Sequence, residues 1–84
     1  MAVIHCDIRR GRTDEQKRRL AAGLTQVVSE VSGEPVGQIF LVLRELPGFN
    51  FVDGGEHVAD YVAGPDGRDL AGEEQLRARG ILAD

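Results

Sequence analysis

The stretch Ala2-Val3-Ile4-His5-Cys6-Asp7-Ile8-Arg9-Arg10-Gly11-Arg12-Thr13-Asp14-Glu15-Gln16 changes its hydrophobic period part-way along, and that change decides the fold. From Ala2 to Ile8, the side chains of Ile4, Cys6 and Ile8 fall on one face and those of Val3, His5 and Asp7 on the other, the two-residue repeat of a strand. Continued alternation puts Arg9 on the polar side, and Gly11 supplies a backbone position free to turn sharply. Thr13 with Gln16 forms a capping box, and Asp14 and Glu15 occupy the first helical turn, where the helix dipole favours negative charge. Leu20, Leu24, Val27, Val28 and Val31 then recur at helical spacing until Gly33 and Pro35 end the segment.

Beyond the helix, Ile39 to Leu43 is an unbroken apolar run, the pattern of a strand covered on both faces. A strand, a crossover helix of about 19 residues spanning roughly 28 Å, and a second strand make a βαβ unit, expected to be parallel and right-handed. Two strands and one helix leave one sheet face bare, so other chains must complete the core. Pro47-Gly48 turns the chain, and Phe49 to Val52 reads as a short extended piece, able to cross to a neighbour, before Gly54-Gly55. Gly64, Pro65 and Gly67 then break the pattern, and Asp69 to Arg79 has little apolar content beyond Leu70 and Leu76. The expected organisation is an α/β (α+β) chain with one βαβ domain over residues 1–63. A surface tail follows over residues 64–84, with at most a weak amphipathic helix.

At 84 residues with a single cysteine, the chain has no disulfide available, and no Cys/His spacing matches a zinc site. Oligomerisation is the remaining route to stability for so small a core. A net charge of −4 and a pI near 5.1 argue against a nucleic-acid partner. No apolar run reaches the roughly 20 residues that span a bilayer, and the start lacks signal-peptide order. A soluble cytoplasmic protein without membrane partners is the expectation, with Cys6 reduced and inert on the apolar face of its strand.

Six of the ten basic residues, Arg9, Arg10, Arg12, Lys17, Arg18 and Arg19, are clustered near the front of the chain. Arg9 and Arg12 flank the glycine turn, so two guanidinium forks can converge on one small carboxylate; the competing reading is a solvated loop. Lys17, Arg18 and Arg19 read as surface charge, with Asp14–Arg18 and Glu15–Arg19 as i,i+4 pairs. Asp53 and Glu56 flank a glycine pair, and a carboxylate partly shielded from water can act as a general base. Histidine is the side chain whose reference pKa lies near neutrality, but His5 and His57 lie in no metal spacing. Removal of Met1 is expected because Ala2 is small, leaving an amine with a reference pKa of about 7.7–8.0 that can donate a proton.

The residues then resemble the tautomerase superfamily, small βαβ chains that assemble as hexamers and begin catalysis from an N-terminal proline. Gly11-Arg12-Thr13-Asp14-Glu15-Gln16-Lys17 is similar to the superfamily's loop and helix start. Within it, the chain resembles the α subunits of the trans-3-chloroacrylic acid dehalogenase branch. That likeness is carried by Cys6-Asp7-Ile8-Arg9, Gly33-Glu34-Pro35, Ile39-Phe40, Arg44-Glu45, Asn50-Phe51-Val52, Gly55-Glu56-His57 and Asp60-Tyr61-Val62.

The resemblance implies a 4-oxalocrotonate tautomerase-like fold whose sheet is completed by oligomerisation, and a cofactor-independent hydrolytic dehalogenase or hydratase. Arg9 and Arg12, lined by Phe40 and Phe51, would hold the carboxylate of a small unsaturated acid, and Asp53 would activate water. The proton would come from the N-terminal proline of a β subunit, and the product would be malonate semialdehyde with halide. Two departures bear on this. Position 2 is alanine where the family has proline, and position 53 is aspartate where it has glutamate, shorter by roughly 1.5 Å, when about 1 Å can matter to a reacting group. Two other readings stand beside it: a homohexamer using the Ala2 amine for a tautomerase or hydratase reaction, and a non-catalytic subunit that binds an acid or completes an assembly.

Overall fold

The computed structural model describes residues 1–82. Ala83 and Asp84, the end of the expected tail, lie outside the described residues. The long elements are β1 (Ala2–Arg9), α1 (Asp14–Ser32) and β2 (Ile39–Leu46). After them come two short strands, β3 (Val52–Asp53) and β4 (Glu56–His57), and a second helix, α2 (Leu70–Ala78). The chain divides into two compact units. One comprises residues 1–8 and 13–44, and the other comprises residues 9–12 and the chain from Glu45 onward.

In the first unit the sequence pattern becomes structure almost residue for residue. Along β1, Ile4, Cys6 and Ile8 are half-buried while Val3, His5 and Asp7 are exposed. Thr13 Oγ1 accepts from the Gln16 amide at 3.1 Å and Gln16 Oε1 accepts from the Thr13 amide at 2.8 Å, closing the capping box reciprocally. At the other end Gly33 takes φ 79°, and its N–H donates to Ser29 O at 3.0 Å, the left-handed termination that glycine permits. β1 and β2 are hydrogen-bonded neighbours, and Asp7 pairs with Arg44 across them at 2.6 and 2.9 Å.

Two expectations about these elements are corrected and one is met. The strand extends beyond the apolar run to Leu46, whose carbonyl accepts from the Arg10 N–H at 2.7 Å. Phe40 is 57% exposed, the bare face expected of one chain, since one helix shields only one side of a two-stranded sheet. The ion pairs that close on α1 are Asp14–Lys17 at 3.3 Å and Glu15–Arg18 at 3.5 Å, both i,i+3 rather than i,i+4. Both spacings place side chains as neighbours on a helix, and here the nearer base is reached.

The second unit is where local pattern reading falls short. Gly48–Asn50 form a 3-10 turn instead of the start of an extended piece, with the Phe51 amide bonded to Gly48 O at 2.9 Å. β3 and β4 then form an antiparallel hairpin pairing Val52 with His57 and Asp53 with Glu56. Gly54 at φ 59° and Gly55 at φ 92° supply the two positive dihedrals such a tight turn demands. Arg10 is held between two segments, its N–H donating to Leu46 O at 2.7 Å and its carbonyl accepting from Tyr61 N–H at 2.8 Å. Among the described residues, Tyr61, at 9% exposure, is the apolar side chain this chain buries.

Candidate active site

The end of β1 and the loop after it send three guanidinium groups to three different places. Arg9, expected on the open polar side, is instead largely enclosed at 15% side-chain exposure. Its Nη1 donates to Ala59 O at 2.7 Å and its Nη2 is ion-paired with Asp69 Oδ2. Burial, and then the nearby Arg12 charge, pull its pKa below the usual guanidinium value, although a guanidinium starts so high that it stays charged at any physiological pH. Arg10 points outward and grips Asp60 Oδ2 through Nε and Nη2 at 3.1 and 3.0 Å. Arg12 donates from Nη1 to Arg9 O at 3.1 Å, and its guanidinium lies over the Tyr61 ring, 4.2 Å from the centroid.

Gly11 makes that arrangement possible. Its φ of 129° lies where L side chains are rare, and a Cβ there would collide with the Tyr61 carbonyl. Asp60 fixes the opposite wall, accepting from Gly48 N–H at 2.6 Å as well as from Arg10. The Gly48 bond first, and then the Arg10 bond, hold its carboxyl below the ordinary 3.8.

Asp53 sits on the hairpin directly opposite Glu56. Its Oδ2 accepts from Gln75 Nε2 at 2.8 Å and lies 3.4 Å from Arg79 Nη1. These groups line an open depression of about 610 Å³ shared with Gly54, Glu56 and His57. Phe51 is half-buried in the same unit. His57 is stacked on Phe49 with ring centroids 3.8 Å apart and planes at 4°. Its Nδ1 is 2.7 Å from Phe49 O, and because a carbonyl only accepts, that nitrogen carries the proton. A carboxylate held by one oxygen and half-open to solvent has its other oxygen available to take a proton from water.

The structure thus places Arg9, Arg12, Phe51 and Asp53 in the second compact unit, with Arg9 and Arg12 in direct contact through the Arg9 carbonyl. Ala2 and Phe40 belong to the first unit. There the Ala2 N–H donates to Glu34 Oε2 at 3.0 Å and the Met1 amino group lies 3.7 Å from the same oxygen. Three residues of the expected surface tail reach the candidate residues: Asp69 on Arg9, and Gln75 and Arg79 on Asp53. The sequence reading missed all three, because residues 69–79 carry too little apolar content to mark a packed segment. Among the described residues, no cluster of three His, Cys, Asp or Glu side chains could hold a metal ion, and no helix is long and apolar enough to cross a membrane.

Comparison with known proteins assigns the family. A family model described as tautomerase enzyme matches residues 3–61. The chain belongs to the tautomerase family. A probable tautomerase of Bacillus cereus is 38% identical over 50 residues, covering 60% of this chain and 82% of its own. Among solved structures, trans-3-chloroacrylic acid dehalogenase inactivated by 3-bromopropiolate is 62% identical, with a TM-score of 0.65 over 71% of this chain and 98% of that one. A heterohexameric 4-oxalocrotonate tautomerase from Chloroflexus aurantiacus superposes with a TM-score of 0.66 at 26% identity, over 68% of this chain and 92% of that one. The fold is therefore the mixed α and β tautomerase fold that the resemblance implied, built on the β1–α1–β2 order read from the pattern. Arg9, Arg12 and Asp53 fall inside the tautomerase span of 3–61, whereas Asp69, Gln75 and Arg79 follow it.

Proposed function

We propose that this tautomerase-family chain is the α-like subunit of a heterohexameric hydrolytic dehalogenase acting on a small unsaturated acid such as a trans-3-haloacrylate. The observation that carries the reading is the 62% identity to trans-3-chloroacrylic acid dehalogenase, spanning 98% of that chain. Arg9, Arg12 and Asp53 all lie within the family span.

In this reading Arg9 and Arg12 bind the substrate carboxylate, and their charge stabilises the negative charge that develops there as water adds in conjugate fashion. Asp53 takes a proton from the water as its oxygen bonds to C3, and a proton reaches C2 from the N-terminal proline of a partner chain. The resulting carbon bears both hydroxyl and halogen; it loses a proton and halide to give malonate semialdehyde. Ala2 in place of proline is the reason the acid is assigned to a partner. Assembly is supported by large apolar side chains left open in a single chain, with Val3 53%, Phe40 57% and Val31 84% exposed.

The test is chloride release from trans-3-chloroacrylate by this chain alone and after co-expression with a short chain that begins Met-Pro. Release only from the mixture supports the proposal. Release from this chain alone overturns the division of roles and favours the Ala2 amine, and release from neither overturns the dehalogenase reading.

A further inference from the structure

Arg9 already holds a carboxylate. Asp69 Oδ2 is paired with its Nη2, and the pair is well shielded, the two side chains being 15% and 21% exposed. Asp69 stands at the N-cap of α2, where an aspartate normally accepts a bond from its own helix, yet its side chain makes no capping bond. The carboxylate is turned instead to Arg9 and, through Oδ1, to Val62 N–H at 3.3 Å. Gly72, in the first turn of α2, leaves room for this. A Cβ there would meet Asp69 Oδ2 at 2.8 Å and Arg9 Nη2 at 3.3 Å. With Nη1 occupied by Ala59 O, neither terminal nitrogen of Arg9 faces an incoming acid unengaged.

We propose that Asp69 is a specificity-determining residue, an internal carboxylate that occupies Arg9 until a ligand carboxylate displaces it. The proposal rests on the reading of Arg9 as the seat of the substrate acid. Its physical content is a competition. An external acid bonded only to Arg9 merely exchanges one carboxylate for another, so affinity must come from further contacts, such as those to Arg12, that Asp69 does not make. Neutral analogues gain nothing from displacing it. A site occupied by Asp69 nine-tenths of the time lowers the apparent affinity for an acid about tenfold. The segment that supplies Asp69 begins after the span matched by the family model.

The experiment titrates acrylate, and acrylamide as the uncharged control, into the full-length protein and its Asp69→Asn and Asp69→Ser variants, serine being kept because it can still cap α2. Both variants should bind acrylate about tenfold more tightly than the unaltered protein, with acrylamide binding unchanged. Acrylate affinity that is equal or weaker in the variants overturns the inference, as does acrylate binding to none of the three. In the unaltered protein, acrylate should shift the amide resonances of Val62 and Asp69 while acrylamide does not. Acrylate binding that leaves both signals unmoved overturns the inference even if neither variant folds. Chloride release separates this inference from the functional proposal. Tighter acrylate binding without dehalogenation of trans-3-chloroacrylate sinks the reaction and leaves the displacement standing. Dehalogenation with a KM unmoved by Asp69→Asn does the reverse.

Discussion

The Arg12 guanidinium lies over the face of Tyr61, 4.2 Å from the ring centroid, so the most enclosed apolar side chain of the described residues also sets the direction of a candidate substrate-binding cation. Such a contact is worth about 0.5–2 kcal/mol depending on how far it is desolvated. Tyr61→Leu keeps apolar bulk and removes the ring face. We expect a loss of about 1–2 kcal/mol in urea denaturation, together with a raised KM for a haloacrylate as Arg12 is released. Unchanged stability and KM would show that the stacking is incidental.

Gly11 and Gly54 both have positive φ, at 129° and 59°, but only Gly11 faces an obstruction, the Tyr61 carbonyl. Gly54→Ala places a methyl in open space and should cost about 1–2 kcal/mol, the ordinary penalty for a left-handed L residue. Gly11→Ala adds a backbone collision to the dihedral penalty and should cost more than about 2 kcal/mol. Denaturant midpoints for the two variants check the order, and equal losses would contradict the geometry at Tyr61.

Thr13 and Gln16 cap α1 reciprocally at 3.1 and 2.8 Å. Thr13→Ala leaves first-turn amides without a side-chain acceptor and should destabilise the protein by about 1 kcal/mol. Thr13→Ser should restore most of that loss, and a midpoint unchanged by the alanine would show that α1 is held by packing alone.

Asp60 is held below its ordinary 3.8, first by the Gly48 N–H bond and then by Arg10. Glu73 is held below 4.5, first by the Arg68 bond. A carboxyl whose folded pKa is lowered contributes stability that is fully present above its unfolded value and is lost as pH falls through the folded one. Melting temperature should therefore be insensitive to these groups near neutrality and fall as the solution is acidified below about pH 4. Asp60→Asn should flatten that fall, and a slope unchanged by the substitution would remove Asp60 from the acid response.

The elements legible in the sequence are those whose signal is repeated many times. β1 alternates over the seven residues from Ala2 to Ile8, and α1 carries nineteen residues of helical spacing with a cap at each end, so no single neighbour can override the pattern. β3 and β4 have two residues each, too few for a period, and their hairpin is marked only by Gly54-Gly55. The candidate site was half legible. Arg9, Arg12 and Asp53 could be named from residue type and resemblance, but what engages them could not. The Arg9–Asp69 pair is separated by 60 residues and the Asp53–Gln75 bond by 22, and no local rule couples positions so far apart. Sequence shows where the Asp69 side chain begins, not where it turns. The bare face of Phe40 follows from counting layers and was foreseen as a need for other chains.

The central claim is that Asp53 activates water for an acid held by Arg9 and Arg12. Its most direct test is the rate of chloride release from trans-3-chloroacrylate by the assembled protein carrying Asp53→Asn, with acrylate affinity measured in parallel. The account predicts a fall in rate of about a hundredfold or more, the usual contribution of a general base, with acrylate binding retained. A rate equal to that of the unaltered protein would contradict it.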